Sequence, residues 1–102
     1  MKRIMVRYRV KPDQSGENQR YVEQVFAELQ RTAPAGLRYA TFKERDGVSF
    51  VHIASIETEN GDNPLPKLSA FQAFQAGIRD RCDEQPVVSD LDEVGSYRFF
   101  AG

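Results

Sequence analysis

From residue 3 to residue 11 apolar and polar side chains alternate, with Ile4, Val6, Tyr8 and Val10 on one side and Arg3, Met5, Arg7, Arg9 and Lys11 on the other. A period of two with one apolar side predicts a strand that packs a single face. The segment 12–16, Pro-Asp-Gln-Ser-Gly, breaks that period, and from Glu17 the apolar positions Tyr21, Val22, Val25, Phe26 and Leu29 follow helical spacing. This helix is expected to end before Pro34, since proline disfavours a helical conformation in the residue preceding it and Gly36 frees the chain to turn.

Residues 36–57 then read as a β-hairpin that turns at Asp46-Gly47 and carries the only histidine, His52, in its second strand. A two-residue turn there sets Thr41 opposite His52, Phe42 opposite Val51 and Tyr39 opposite Ala54. One face collects Ala40, Phe42, Val51 and Ile53, and the other Tyr39, Thr41, Phe50, His52 and Ala54. A small antiparallel sheet normally leaves one face polar, so two semi-apolar faces predict that both are covered or that one lines a cavity.

The loop 59–67 is rich in Asn, Gly, Asp and Pro, and Ser69 with Gln72 has the spacing of a helix capping box. Phe71, Phe74, Ile78 and Cys82 follow at steps of three or four, and Ala70 and Gly77 are small enough for close approach to a sheet. Beyond Pro86, residues 87–91 and 97–100 read as strand, with Gly95 as a bend or bulge between them. The order β, α, β, β, α, β is an α+β, ferredoxin-like antiparallel sheet with both helices on one face. The face left open predicts a homodimer, which buries it against a second copy.

Composition narrows the function. A chain of 102 residues, 40% apolar, makes one domain over 1–102 with a modest core. A formal charge of −1 argues against nucleic acid as a partner. The lone Cys82 closes no intrachain disulfide and lacks the spaced partners of a zinc site, so no metal and a reducing cytoplasm are expected. No apolar run has the length of a signal peptide or a membrane span. Triad order, phosphate loop and HExxH pair are all missing, and no cofactor is expected.

The residues left to carry chemistry are few. His52, with an ordinary pKa of about 6.5, is the candidate base. Tyr39, one diagonal step away, is the candidate orienting hydroxyl, and Thr41 lies beside His52 by register. Arg7 points away from Ile4, Val6 and Tyr8, and either binds a ligand carboxylate or enolate oxygen or joins Arg9 in ion pairs with the acidic end of the chain. Thr41, Phe50, Phe71 and Phe74 are candidate pocket walls. The competing account of His52 is a half-buried imidazole satisfied by Thr41 or by a second subunit.

The pieces Met5-Val-Arg-Tyr-Arg-Val-Lys-Pro12, Phe50-Val-His-Ile-Ala-Ser-Ile-Glu57 and Ser69-Ala-Phe-Gln-Ala-Phe-Gln-Ala-Gly-Ile78 together resemble the antibiotic biosynthesis monooxygenase-like family of dimeric α/β barrels. The resemblance implies a small-ligand pocket between helices and the open sheet face. It extends to cofactor-independent oxygenases of aromatic polyketides and to haem-degrading enzymes, which typically use a pocket tryptophan that this chain lacks. The haem-degrading branch also takes its ligand histidine from a helix, whereas His52 sits in a predicted strand. What remains is a dimeric oxidoreductase, monooxygenase-like, acting on a small hydrophobic or aromatic oxygen-bearing compound with His52, Tyr39 and Arg7 in the site. The alternative is a noncatalytic dimer that binds a small ligand or a protein partner.

Overall fold

A computed structural model of the chain describes residues 1–100. Strand β1 (Lys2–Val10) leads through a short 3-10 turn (Pro12–Gln14) into helix α1 (Ser15–Thr32), and the hairpin strands β2 (Leu37–Lys43) and β3 (Ser49–Ile56) follow. A second 3-10 turn (Leu65–Lys67), helix α2 (Ser69–Arg81) and strand β4 (Cys82–Leu91) complete the described elements. The four strands form one antiparallel sheet in the order β2-β3-β1-β4, the ferredoxin-like arrangement expected from the element order. Among the described residues no helix is long and apolar enough to cross a membrane.

Sheet register fixes which side chains share a face. Val6 pairs with His52 and Tyr8 with Phe50 across β1 and β3, while Thr41 pairs with His52 and Tyr39 with Ala54 across β2 and β3. All of these therefore lie on one face. Tyr8, Val10, Phe50 and Ala54 pack there against Val22 and Val25 of α1 and Phe74 and Ile78 of α2, so both helices cover the same side. The opposite face bears Arg3, Met5, Arg7 and Arg9 beside Ala40, Phe42, Val51 and Ile53.

The hairpin keeps its expected pairing, but the turn is wider. Glu44 and Ser49 close it, with the Glu44 N–H donating to the Ser49 carbonyl at 2.8 Å, and the loop holds Arg45 to Val48. Its anchor is Asp46, whose carboxylate accepts from the N–H of Val48 and from both the N–H and hydroxyl of Ser49. These bonds hold the carboxyl down at a pKa of about 2, with the Ser49 hydroxyl contributing most. Gly36 opens the hairpin at φ +76, and an added Cβ would lie 2.9 Å from the Thr58 backbone, so only glycine fits.

Helix α1 ends as expected. Ala33 turns left-handed at φ 43 and donates its N–H to the Leu29 carbonyl, with Pro34 barring continuation. Helix α2 starts differently from the expected capping box, because the Ser69 hydroxyl makes no local cap. Glu28 of α1 supplies it across the helix pair, accepting from the Ala70 N–H at 2.7 Å and from the Ser69 hydroxyl. The backbone bond from Ala70 is the main reason the Glu28 carboxyl is held below its usual range.

The end of the chain also departs from expectation. Cys82 does not close the helical stripe: it is extended and begins β4 opposite Val10. Strand β4 thus starts ahead of Pro86, which an edge strand tolerates because its missing N–H is not needed for a further neighbour. Register shifts between Val87 opposite Arg7 and Glu84 opposite Arg9, a bulge around that proline. Residues 97–100 form no strand, and Arg98 at φ 58 lies outside the extended region that pairing requires. Instead Phe99 and Phe100 border a cavity on the outer sheet face with Ala40, Phe42 and Ile53, and the Arg3 guanidinium sits 3.7 Å above the Phe100 ring.

Candidate functional site

On the helix-covered face of the sheet, and not on its open face, α2 and the connection before it border a partly open cavity of about 240 Å³ whose walls include Ile4, Val6 and Ala54 from the strands and Phe71, Phe74 and Ile78 from α2. Its polar groups are Tyr8, Tyr39, His52, Asn63 and Gln75, and among the described residues no Lys, Arg, Asp or Glu lines it. The exposed residues Pro66, Gln75 and Val88 form its rim. A ligand entering meets an apolar sleeve with phenol and imidazole groups at its wall.

His52 is only 5% exposed, and both of its ring nitrogens are engaged. Nε2 lies 2.7 Å from the Tyr8 hydroxyl, and Nδ1 lies 2.6 Å from the Tyr39 hydroxyl and 3.0 Å from the Thr41 hydroxyl. Burial without a neighbouring carboxylate lowers the imidazole pKa to about 4, so it is neutral through physiological pH. The Tyr39 phenol is pushed up to about 12 by its own burial, and the Tyr8 phenol is raised further for the same reason. All three groups are uncharged at pH 7.

Aromatic packing holds these rings in place. Tyr39 stacks on Phe26 of α1 at 5.2 Å between centroids, and Tyr8 stacks between Phe50 and His52 at 5.6 and 5.3 Å. Phe74 closes on His52 at 5.5 Å. Because Tyr8 covers Phe50, Phe50 backs the site and does not line the cavity. Thr41 likewise stays out of the wall, reaching His52 from the β2 side, whereas Phe71 and Phe74 line the cavity.

Arg7 is the sequence candidate that the structure sets apart. It follows Val6 in β1, so it points to the opposite face, where its guanidinium bonds Glu44 at 2.8 Å. The Glu44 carboxylate raises the Arg7 pKa further. The expected pairing with the acidic end of the chain does hold for neighbouring arginines: Arg9 meets Asp83 and Glu84, and Arg3 meets Glu93.

Three participants carry no motif. Nothing local marks the Tyr8 hydroxyl on the packed face of β1, and Asn18 and Arg81 belong to no recognisable pattern of catalytic or binding residues. Asn18 is fully buried and donates to the Tyr8 hydroxyl at 2.9 Å, and Arg81, 5% exposed, donates to the Asn18 side-chain oxygen at 3.1 Å. The signal was positional. Asn18 falls four residues before Val22 on the apolar stripe of α1, and Arg81 falls three after Ile78 on that of α2, and polar groups at such positions need partners.

No protein-family model matches the sequence, and a comparison with curated proteins returns no match. Solved structures do match. An antibiotic biosynthesis monooxygenase superposes with a TM-score of 0.74 at 18% identity, covering 93% of this chain and all of that one. Rv0793 from Mycobacterium tuberculosis gives 0.73 at 13% identity over 93% of this chain and 96% of its own. SnoaB, a cofactor-independent oxygenase from Streptomyces nogalater, gives 0.69 at 16% identity over 95% and 96%. The sheet order, the two helices on one face and these superpositions agree: the chain has the fold of the antibiotic biosynthesis monooxygenases.

Proposed function

We propose that this protein binds a neutral, largely aromatic ketone or phenol in the cavity between α2 and the sheet and oxygenates it without a bound cofactor. The observation that carries this reading is a cavity with no charged lining residue whose wall presents Tyr39 beside a neutral His52. Likeness in fold to a cofactor-independent oxygenase supports it. In this chemistry a methylene activated by conjugated carbonyl or aryl groups loses a proton to solvent, and the electron pair spreads onto the substrate oxygen. Tyr39 donates a hydrogen bond to that developing oxyanion, which is stabilised most when the donor is already in position. The resulting enolate reduces dioxygen, and the net change of CH2 and O2 to C=O and H2O balances in atoms and electrons. With its pKa lowered to about 4, His52 is a weak base and serves as the group that holds Tyr39.

An uncharged cavity sets the ligand class. Burying an unpaired carboxylate costs several kcal/mol. In a thermal-shift measurement the neutral ketone 1-tetralone is expected to raise the melting temperature by a few degrees at about ten times its Kd, and 1-naphthoate, of similar shape, to leave it unchanged. Equal stabilisation by both, or by neither, contradicts the reading.

A second reading, a noncatalytic ligand-binding dimer, draws on the occupation of both His52 nitrogens. It predicts the same ketone binding with no oxygen uptake from anthrone. Both readings include a homodimer, because Phe42, Val87, Tyr97 and Phe99 remain more than half exposed on or beside the outer sheet face, and a second copy would cover them. Sedimentation at micromolar concentration is expected to show a species of two chains, and monomer alone contradicts the assignment.

A further inference from the structure

We infer that Asn18 and Arg81, which do not reach the cavity, are positioning residues: a one-way hydrogen-bond chain from Arg81 through Asn18 and Tyr8 sets the His52 tautomer, and so aims the Tyr39 hydroxyl hydrogen at the ligand. The link to ligand rests on the function proposed above, whereas the tautomer does not.

The direction follows from what each group is able to give. A guanidinium only donates, so the Asn18 group 3.1 Å from Arg81 Nε is the amide oxygen, and the amide nitrogen faces Tyr8. The Tyr8 oxygen therefore accepts from Asn18, and its single hydrogen goes to His52 Nε2 at 2.7 Å. With Nε2 accepting, a neutral imidazole carries its hydrogen on Nδ1, which donates toward the hydroxyl oxygens of Tyr39 and Thr41. The Thr41 hydroxyl, its oxygen facing Nδ1, gives its hydrogen to the Tyr39 oxygen as well, so Tyr39 accepts from both and keeps its own hydrogen for an oxygen in the cavity.

Arg81 is suited to anchor such a chain because it cannot turn round. Among the described residues no carboxylate lies within ion-pair distance of it. Its guanidinium is held by the Phe74 carbonyl at 2.9 Å and lies 4.5 Å from the Tyr21 ring centroid. Room for it comes from Gly77, where a Cβ would sit 2.7 Å from Arg81 Nη1. A buried cation with no counter-ion among the described residues is costly to keep, and fixing the polarity of the chain is the service it performs.

His52 is the sole histidine, so one imidazole spin system fills the long-range ¹H–¹⁵N spectrum. The wild-type protein is expected to show a protonated-type shift at Nδ1 and an unprotonated one at Nε2 near neutral pH. Asn18→Asp, of the same shape, pairs with Arg81 and only accepts, so the Tyr8 hydrogen turns to it and His52 is expected to switch to the Nε2–H form. Tyr39 then donates back to Nδ1, and anthrone turnover is expected to fall at least ~10-fold in kcat with little change in KM. A wild-type hydrogen on Nε2 overturns the inference, as does an Asn18→Asp spectrum with the wild-type pattern. Should the variant fail to fold, the wild-type spectrum alone decides. The expected tautomers without any ketone binding leave this chain of bonds standing and reject the proposed function instead.

Discussion

Tyr39→Phe is expected to lower oxygen uptake with anthrone by about 10²- to 10³-fold, the effect of removing one donor aimed at a developing oxyanion. Stability should change far less. His52 Nδ1 loses its bond to Tyr39 at 2.6 Å but keeps Thr41 at 3.0 Å, so no buried donor is orphaned, and the phenylalanine ring retains the stack on Phe26. The net loss for a replaced hydrogen bond is about 1 kcal/mol. Activity and urea midpoint measured on the same preparation separate the two effects. Unchanged uptake removes Tyr39 from the site, and a collapse of the fold would make its role structural.

The second large effect concerns pH. Folding lowers the His52 pKa from 6.5 to about 4 by burial, so between these values the unfolded chain binds a proton that the native state refuses. Stability therefore rises with pH across this window, is complete above about 6.5, and is lost as pH falls toward 4. The contribution is on the order of 3 kcal/mol in total, of which about 2 is lost between pH 7 and pH 5. Glu28 and Glu57, whose carboxyls are held below their ordinary value, and Asp46, held at about 2, add their own losses only at lower pH. The slope from pH 7 to pH 5 in urea unfolding thus reports the imidazole. His52→Gln is expected to flatten it, and a wild-type imidazole titrating near 6.5 by NMR contradicts the buried placement.

Much of this arrangement was legible because short-range rules govern it. Asp46-Gly47 sets the hairpin register, so Thr41 beside His52 and Tyr39 beside Ala54 follow from counting outward, even though the loop proved two residues wider. Alternation in β1 placed Val6 and Tyr8 on the packed face for the same reason. That alternation also implies that Arg7 and His52, on oppositely directed positions of paired strands, cannot meet, a consequence that required knowing β1 lies next to β3.

What the sequence left obscure depends on contacts between distant segments. Cys82 continues the helical spacing of Phe74 and Ile78, but pairing with Val10 draws it into a strand. Glu28 caps α2 from another helix, and neither local motif nor spacing announces a partner so far along the chain. Asn18 and Arg81 stood on apolar stripes where a charged or amide group is out of place. Such misplacement says that a partner exists without naming it, and only the packing of α1 against α2 brings the two side chains together.

The measurement that tests the account most directly is a crystal structure of the protein with 1-tetralone. The ring system is expected between Phe71, Phe74 and Val6, with the ketone oxygen about 3 Å from the Tyr39 hydroxyl. A ligand seated elsewhere, or in the cavity with its oxygen turned away from Tyr39, would contradict it.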